Sequence, residues 1–354
     1  MRTYDISPPP TPSLDMNGQF GAAADGSFFS TPGWYDLVAR YGTEPGWSAC
    51  IYVSDDGKAG IACKTKGGSP RLESLTNLYT PDYCPLAGLK DEGALRDLVR
   101  EVASQRSGIS YVRLDGLDPS QKSFDAILAG FQDANFASKP FAGWGVWFEP
   151  VAHRSFSDYL AARPSVLRNT WKRKLKAAQR AAKISLRAIQ PAAELEQFIA
   201  SYAAVQAASW KKPEPFPRFI PQLIRYAAVC GALEAGVLEI DGKPAAAQFW
   251  IVWRGRATIF KLAYSRDRRE FSPGTLLTMH MVQHVLEKRT PVEINFGRGD
   301  DEYKKLWVSM RGECWGIEAA NLRTVRGVIT RARMAVAAGR DVLTGRKQDR
   351  PAAR

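Results

Sequence analysis

Between residues 184 and 319 the hydrophobic pattern changes period repeatedly, and this alternation restricts the fold more than any single motif does. Residues 184–189 read as a strand, 192–210 and 217–230 as helices, and 232–240 as a strand closing on the turn Asp241-Gly242-Lys243-Pro244. Residues 245–253 return as the other arm of a hairpin, and 257–264 give a third strand. A helix over 273–288 follows, then Val292-Glu293-Ile294-Asn295-Phe296 with Val, Ile and Phe on one face at period two, and a last strand over 313–319. Strand, two helices, three strands, helix, strand, loop, strand predicts a mixed sheet with helices on both faces, an α/β (α+β) fold.

Upstream, a second set of weaker signals gives another unit. Helical spacing over 34–41, 92–104 and 124–134 alternates with strand signals over 48–53, 59–64, 111–114 and 144–151. The chain therefore divides into a leader over 1–27, a first α/β unit over 28–155, a basic connecting helix over 156–190, a second unit over 191–320, and a basic amphipathic helix and tail over 321–354. The leader is rich in Pro, Gly and Ser and is expected to be disordered. With 354 residues and 45% apolar composition, each unit can bury its own core.

Charge is segregated. Of 49 Lys and Arg against 36 acids, nine fall in 159–193, which has no acid, and nine more in 319–354, which has only Asp341 and Asp349. The remainder is slightly acidic, which excludes a uniformly basic, histone-like or ribosomal-type chain. In the first segment Leu167, Trp171 and Leu175 form one apolar stripe, with Arg168, Lys172, Lys176 and Arg180 on the other faces. In the second, Leu322, Val325, Ile329, Ala332 and Val336 form a stripe while Arg326, Arg333 and Arg340 recur every seven residues. Such a helix suits packing on the body with its arginines outward, or an anionic membrane surface contacted peripherally; the lack of aromatics favours packing. The five cysteines are odd in number and form no C-x-x-C pair, no apolar run is long enough to span a bilayer, and no signal-peptide pattern opens the chain. A cytoplasmic location is expected.

Three segments carry candidate chemistry. At 264–275 a strand ends at Tyr264, a loop supplies Arg266, Arg268 and Arg269, and Ser272-Pro273-Gly274-Thr275 opens a helix. Ser272 suits an N-cap, Pro273 the first helical position, and Gly274 a close backbone approach to an anion such as a pyrophosphate. An ordinary capped helix beside a solvated basic loop uses the same residues. At 295–307, Gly297 and Gly299 turn the chain after a strand's C-terminal end; Asp300 and Glu302 could take a proton, Tyr303 could give one, and Lys304 could fix an anion. A Gly-Asp turn leading into a solvated helix is the competing reading. Ser209-Trp210-Lys211 ends a helix, where a core Trp and a last-turn Lys are ordinary. His280 and His284 lie four apart, but only His153 remains as a third histidine, so no metal site is expected. G-x-S-x-G, P-loop and H-E-x-x-H patterns are absent.

Taken together, 238–247, Lys261-Leu262-Ala263-Tyr264-Ser265 with Ser272 to Leu277, Phe296-Gly297-Arg298-Gly299-Asp300 with Tyr303, Lys304 and Trp307, and Ser209-Trp210-Lys211 resemble the FemAB-like, or CelD-like, branch of the GNAT acetyltransferase superfamily. The resemblance spans about 28–320 and is strongest over 190–310. It implies two tandem GNAT-like domains, each a mixed, mostly antiparallel sheet, the first degenerate, and transfer of an acyl group to an amine. Acyl-CoA is the implied donor, held by Arg266, Arg268, Arg269, Ser272, Gly274 and Thr275. Asp300 or Glu302 would act as base, Tyr303 or Tyr264 as acid, and Lys304 beside the oxyanion, with Trp210, Lys211, Gly297, Gly299 and Trp307 toward the substrate. The implied acceptor is a small-molecule amine or an envelope polysaccharide precursor. An acidic carrier protein, an aminoacyl-tRNA donor as in FemAB relatives, and a non-catalytic scaffold stay open.

Overall fold

In the computed structural model, which describes residues 1–6, 26–86, 91–105 and 108–343, alternating apolar runs become strands wherever they can pair, and the helices form where end signals and apolar stripes coincide. The chain divides into two units, residues 1–144 with 313–354, and residues 145–312.

In the first unit, β1 (Arg2–Ile6), β2 (Trp47–Val53), β3 (Gly60–Lys66) and β4 (Arg71–Ser74) pair antiparallel in that order. β4 then pairs parallel with β5 (Tyr111–Leu117), and β5 antiparallel with β12 (Met310–Asn321). Helix α1 (Pro32–Tyr41) starts as its sequence dictates: Thr31 Oγ accepts the Trp34 amide and Pro32 occupies the first turn. Helices α2 (Glu92–Gln105) and α3 (Lys122–Asp133) pack together, so closely that a Cβ on Gly130 would lie 2.6 Å from the Arg96 carbonyl.

In the second unit, the end of β6 (Phe136–Pro150) pairs antiparallel with β11 (Glu293–Arg298). β11 pairs parallel with β10 (Arg256–Tyr264), and β9 (Lys243–Trp253), β8 (Leu233–Ile240) and β7 (Ile184–Ala188) follow antiparallel. A capping box at Ser155 and Asp158 opens α4 (Phe156–Ala161), and α5 (Ser165–Ala181) lays Leu167, Trp171 and Leu175 onto the core. Helices α6 (Pro191–Ala207) and α7 (Phe219–Val229) precede β8, and α8 (Pro273–Arg289) links β10 to β11. Successive residues of β9 face opposite sides of the sheet. Phe249 meets Phe198 and Tyr202 of α6, while Gln248 donates to Thr278 Oγ1 of α8 at 3.1 Å. Helix α8 is buried almost all round, from Leu276 to Leu286, which explains why its sequence shows so little polar face.

Several expectations change. The leader begins with a strand: Arg2–Ile6 pairs along its length with β2, and residues 7–25 lie outside the described residues. β4, four residues long, gives no usable period and was not expected. The basic helix over 165–181 is no connector; it lies within the second unit, which starts at Gly145 rather than beyond 190. The last helix, α9 (Val325–Leu343), is clustered with the first unit, and its apolar stripe is not what it buries. Val325 is 79% exposed and Val336 65%, whereas Met334 is buried against Tyr111 and Ala320. Among the described residues, no helix is long and apolar enough to cross a membrane.

Candidate active site

The site is set by where β10 and β11 part. They pair parallel only from Arg256↔Glu293 to Thr258↔Asn295. Beyond this point β10 bulges against β9 between Ile259 and Lys261, and β11 shifts register against β6 between Asn295 and Arg298. Gly297 adopts φ +66°, open to glycine without strain, and Asn295 Oδ1 accepts its amide at 2.8 Å. An open cleft at the C-terminal ends of parallel strands is where such sheets admit ligands.

Lys211 reaches this edge. Its Nζ donates to the Leu262 carbonyl on β10 at 2.6 Å, next to an ion pair of Lys261 with Glu214 at 2.9 Å. Burial, and secondarily the like charge of Lys261, lowers the Lys211 pKa, against which Glu214 and Asp301 pull upward. Trp210 beside it is 58% exposed, so it is neither core nor enclosed in a pocket.

The 297–307 segment is organised differently from the expectation. Lys304 has a side chain only 3% exposed, and its Nζ donates to the carbonyls of Arg298 at 2.7 Å, Gly299 at 3.0 Å and Gly297 at 3.4 Å. An ammonium has three protons, and here all three are taken by the loop it closes. Lys304 therefore shapes the glycine turn and has no donor left for an oxyanion. Asp300 is likewise engaged: Arg311 grips it through Nε at 2.7 Å and NH2 at 3.0 Å, and Trp147 Nε1 donates at 3.0 Å. The Arg311 hydrogen bonds, more than the partial burial that opposes them, hold this carboxyl down to about 2. A carboxylate so held is a poor base at neutral pH. Gly145 is required beneath it, since a Cβ there would lie 2.2 Å from Asp300 Oδ1.

Trp307 is buried and stacks on Phe296 at 5.9 Å, and its carbonyl takes Tyr159 OH at 2.8 Å and Arg163 NH1 at 2.5 Å. It belongs to the scaffold rather than to a substrate surface. Glu302 is exposed and paired with Lys305 at 2.8 Å. Tyr303 is 53% exposed as a residue, yet burial around its hydroxyl and the neighbouring Asp301 push the phenol up to about 12. Asp301, which the spacing did not single out, is 62% exposed, 3.4 Å from Lys304 Nζ, and electrostatically coupled to both Lys211 and Tyr303. Its signal was its place between two glycines and a tyrosine, shared equally with Asp300.

The start of α8 also departs from the expected anion cradle. Ser272 sits in the left-handed region at φ +53° and makes no side-chain cap bond. Its own amide donates to Arg269 O, its carbonyl receives the Thr275 and Leu276 amides, and Pro273 has no N–H, so the first turn offers a ligand Gly274's amide alone. Gly274 is buried under Tyr264 and Leu262, whose atoms would lie 3.1 and 3.3 Å from its Cβ. Cationic side chains are better placed. Arg266 and Arg269 are exposed and Arg268 lies 3.9 Å from Asp241. Helix α5 packs against this segment, with Lys174 Nζ on the Glu270 carbonyl at 2.5 Å and Lys172, Arg173, Lys176 and Arg180 exposed.

The second unit holds further ionic clusters away from this edge. Glu149, 3% exposed, accepts from Arg163 at 2.6 Å, Arg154 at 2.8 Å and Ser309 Oγ at 2.6 Å; burial would raise its pKa, and the Arg163 and Ser309 bonds bring it below the ordinary value. His284 pairs with Glu234 at 2.8 Å, and among the described residues no group of three or more metal-ligating side chains occurs.

A family model described as an acetyltransferase (GNAT) domain matches residues 165–305. No curated protein matches the chain. Among solved structures, FemX superposes with a TM-score of 0.62 at 11% identity, covering 91% of this chain and 98% of that one. The C-terminal domain of a putative lysylphosphatidylglycerol synthetase from Agrobacterium fabrum gives 0.55 at 14% identity, covering 89% and 94%, and L-PGS from Bacillus licheniformis gives 0.55 at 12%, covering 90% and 96%. At these identities the structures speak for the fold: FemX covers both units, and the family model places the acetyltransferase domain in the second. Residues 165–305 match the GNAT acetyltransferase domain, which makes the chain an acyltransferase, and the chain as a whole shares the fold of FemX.

Proposed function

We propose that the second unit transfers an acyl group from a thioester donor, acyl-CoA, to a primary amine bound in the cleft between β10 and β11. The observation that carries this reading is the parting of the two strands after Thr258↔Asn295 with Lys211 at the opened edge of β10. The donor's phosphates rest on Arg266, Arg268 and Arg269 and the exposed cations of α5, with Gly274, Thr275 and Tyr264 beside them. The single available amide of α8 makes this a side-chain cradle rather than a backbone one.

In the reaction the amine nitrogen attacks the thioester carbonyl and passes its proton to Asp301, whose exposed carboxylate is less tightly held than that of Asp300. The carbon–sulfur bond breaks, and the leaving thiolate takes a proton from Lys211, whose lowered pKa makes it a readier donor. Asp301 then returns the first proton to Lys211, so amine and thioester become amide and thiol. Tyr303 stays protonated at neutral pH and serves as a hydrogen-bond donor. The acceptor class, an amino sugar or amino acid in an envelope polysaccharide precursor, rests on the resemblance alone. The five free cysteines support a reducing, cytoplasmic setting.

A second reading is favoured by α5 and the residues just after it: five exposed cations over 172–183 suit a polyanionic donor, an aminoacyl-tRNA as in FemAB relatives. Thermal shift with acetyl-CoA and longer acyl-CoAs, followed by thiol release over a panel of amines, decides between them. A shift with amine-dependent release is expected. Transfer only from aminoacyl-tRNA, with steep salt dependence, would replace the acyl-CoA reading. Inertness toward both donors would leave a binding module.

A further inference from the structure

The first unit contains a cavity of about 570 Å³ under α9, at the starts of β4 and β5 and thus at the other end of the parallel pair from where an acyltransferase cleft forms. Its floor is Tyr111, whose hydroxyl donates to Glu318 Oε1 at 2.8 Å. The same carboxylate receives Arg113 NH1 at 3.0 Å and lies 3.7 Å from Lys139 Nζ, so the one acid lining the cavity is already neutralised. Pro70, Ile329 and Met334 give an apolar wall. Arg71 lies over the Tyr111 ring at 4.9 Å, while Arg326 and Arg333 line the α9 side. Being seven residues apart, these two stand roughly 10 Å apart along one helix face. Among the described residues neither has an acidic partner.

The orientation of α9 points the same way. Burial of apolar surface would turn Val325, Val328 and Val336 inward, yet these are 79%, 51% and 65% exposed while Arg326 and Arg333 border the cavity. A volume of this size is ordinary for a small-molecule site, and guanidinium groups with an aromatic and apolar wall suit an acid head on an apolar tail.

We propose that this cavity binds a small organic acid, a phosphate monoester or carboxylate bearing a short apolar chain, with Arg326 and Arg333 on the acid group and Tyr111, Ile329 and Met334 on the chain. The ligand is either free in solution or the headgroup end of an anionic lipid.

Calorimetric titration of the full chain with octyl phosphate tests it, with octyltrimethylammonium and inorganic phosphate as companion probes. Octyl phosphate is expected to bind. The double variant Arg326→Gln/Arg333→Gln should weaken it at least tenfold, and Arg323→Gln/Arg331→Gln, one just before the helix and one on it but neither lining the cavity, should not. Thr330→Trp, which intrudes on the cavity from its α9 side and keeps both arginines, should weaken binding. Inorganic phosphate should bind more weakly than octyl phosphate. Equal binding to wild type and the Arg326/Arg333 variant, equal loss in the Arg323/Arg331 variant, or equally tight binding of octyltrimethylammonium would each overturn the site. With phosphatidylglycerol vesicles, sedimentation that depends on Arg326 and Arg333 assigns the lipid source, and its absence alongside octyl phosphate binding assigns a free acid; both support the site.

Discussion

The two units use the same central device and treat it in opposite ways. Each has one parallel strand pair joined by a crossover helix and flanked by antiparallel strands: β4 and β5 across α2, β10 and β11 across α8. Each parallel pairing is three residues long. In the second unit both strands then run on apart, leaving an edge that Lys211 meets. In the first, β4 stops at Ser74 and the following chain closes the opening. Ser74 Oγ takes the Asp115 amide, Tyr83 donates its amide to Gly116 O at 2.7 Å and its hydroxyl to Ala62 O at 2.8 Å, and the Trp144 ring lies 3.0 Å from where a Gly116 Cβ would be. In the first unit the hydrogen bonds of this edge are used internally while the strand pairing is kept.

The largest effect expected from this contrast is on turnover. Lys211→Met should lower amine-dependent thiol release by about 10² to 10³-fold, the range for losing a positioned proton donor, while Tyr83→Phe, at the equivalent edge of the first unit, leaves the rate unchanged. Similar losses from both substitutions would show that the closed unit also takes part. Next is Lys304→Met. Three carbonyls lose their donor in a buried turn, so the urea midpoint should fall by the equivalent of about 2–4 kcal/mol. A wild-type midpoint with lost turnover would instead return Lys304 to the chemistry that its motif suggested.

Glycines give a matched pair of smaller effect. Gly145→Ala drives Asp300 from its place, and Gly316→Ala in the first unit meets Phe141 Cζ at 2.0 Å. Each should cost about 1–3 kcal/mol by overpacking. Only Gly145→Ala, which disturbs the turn leading to Asp301, should also slow transfer, and equal rates in the two variants would separate that turn from the active site.

Much of this architecture was legible because period and end signals agree over long stretches: 184–319 gave its strands and helices nearly residue by residue. β1 and β4 were not legible because Arg2–Ile6 and Arg71–Ser74 hold too few apolar residues to show a period, and their pairing is decided by partners distant in sequence. The candidate segments were legible as motifs, but not the contacts of their side chains. The motif 295–307 names Asp300 and Lys304 as reactive types, and only the structure shows that Arg311, Trp147 and three carbonyls have already engaged them. Arg311 and Trp147 are 11 and 153 residues from Asp300, beyond any local spacing rule. Likewise α9 shows a sound apolar stripe in sequence, yet what its residues face depends on the cavity beside Tyr111.

The smallest effect concerns Asp300 itself and tests whether it is held or free. Its carboxyl lies near 2 in the folded protein against an ordinary 3.8, so it contributes stability that is present above about pH 4 and is lost as pH falls toward 2. Both partners are partly exposed, Arg311 at 38% and Asp300 at 50%, so solvent and salt screen the pair and the contribution is modest. Asp300→Asn should therefore flatten the fall in urea midpoint between pH 4 and pH 2.5, with the difference from wild type shrinking at high salt. At neutral pH the same variant should keep turnover within several-fold, because a carboxylate that protonates only near pH 2 takes up little of an amine's proton. A parallel acid profile in both proteins would mean that Arg311 does not hold Asp300, and the base in the cleft would then be Asp300 rather than Asp301.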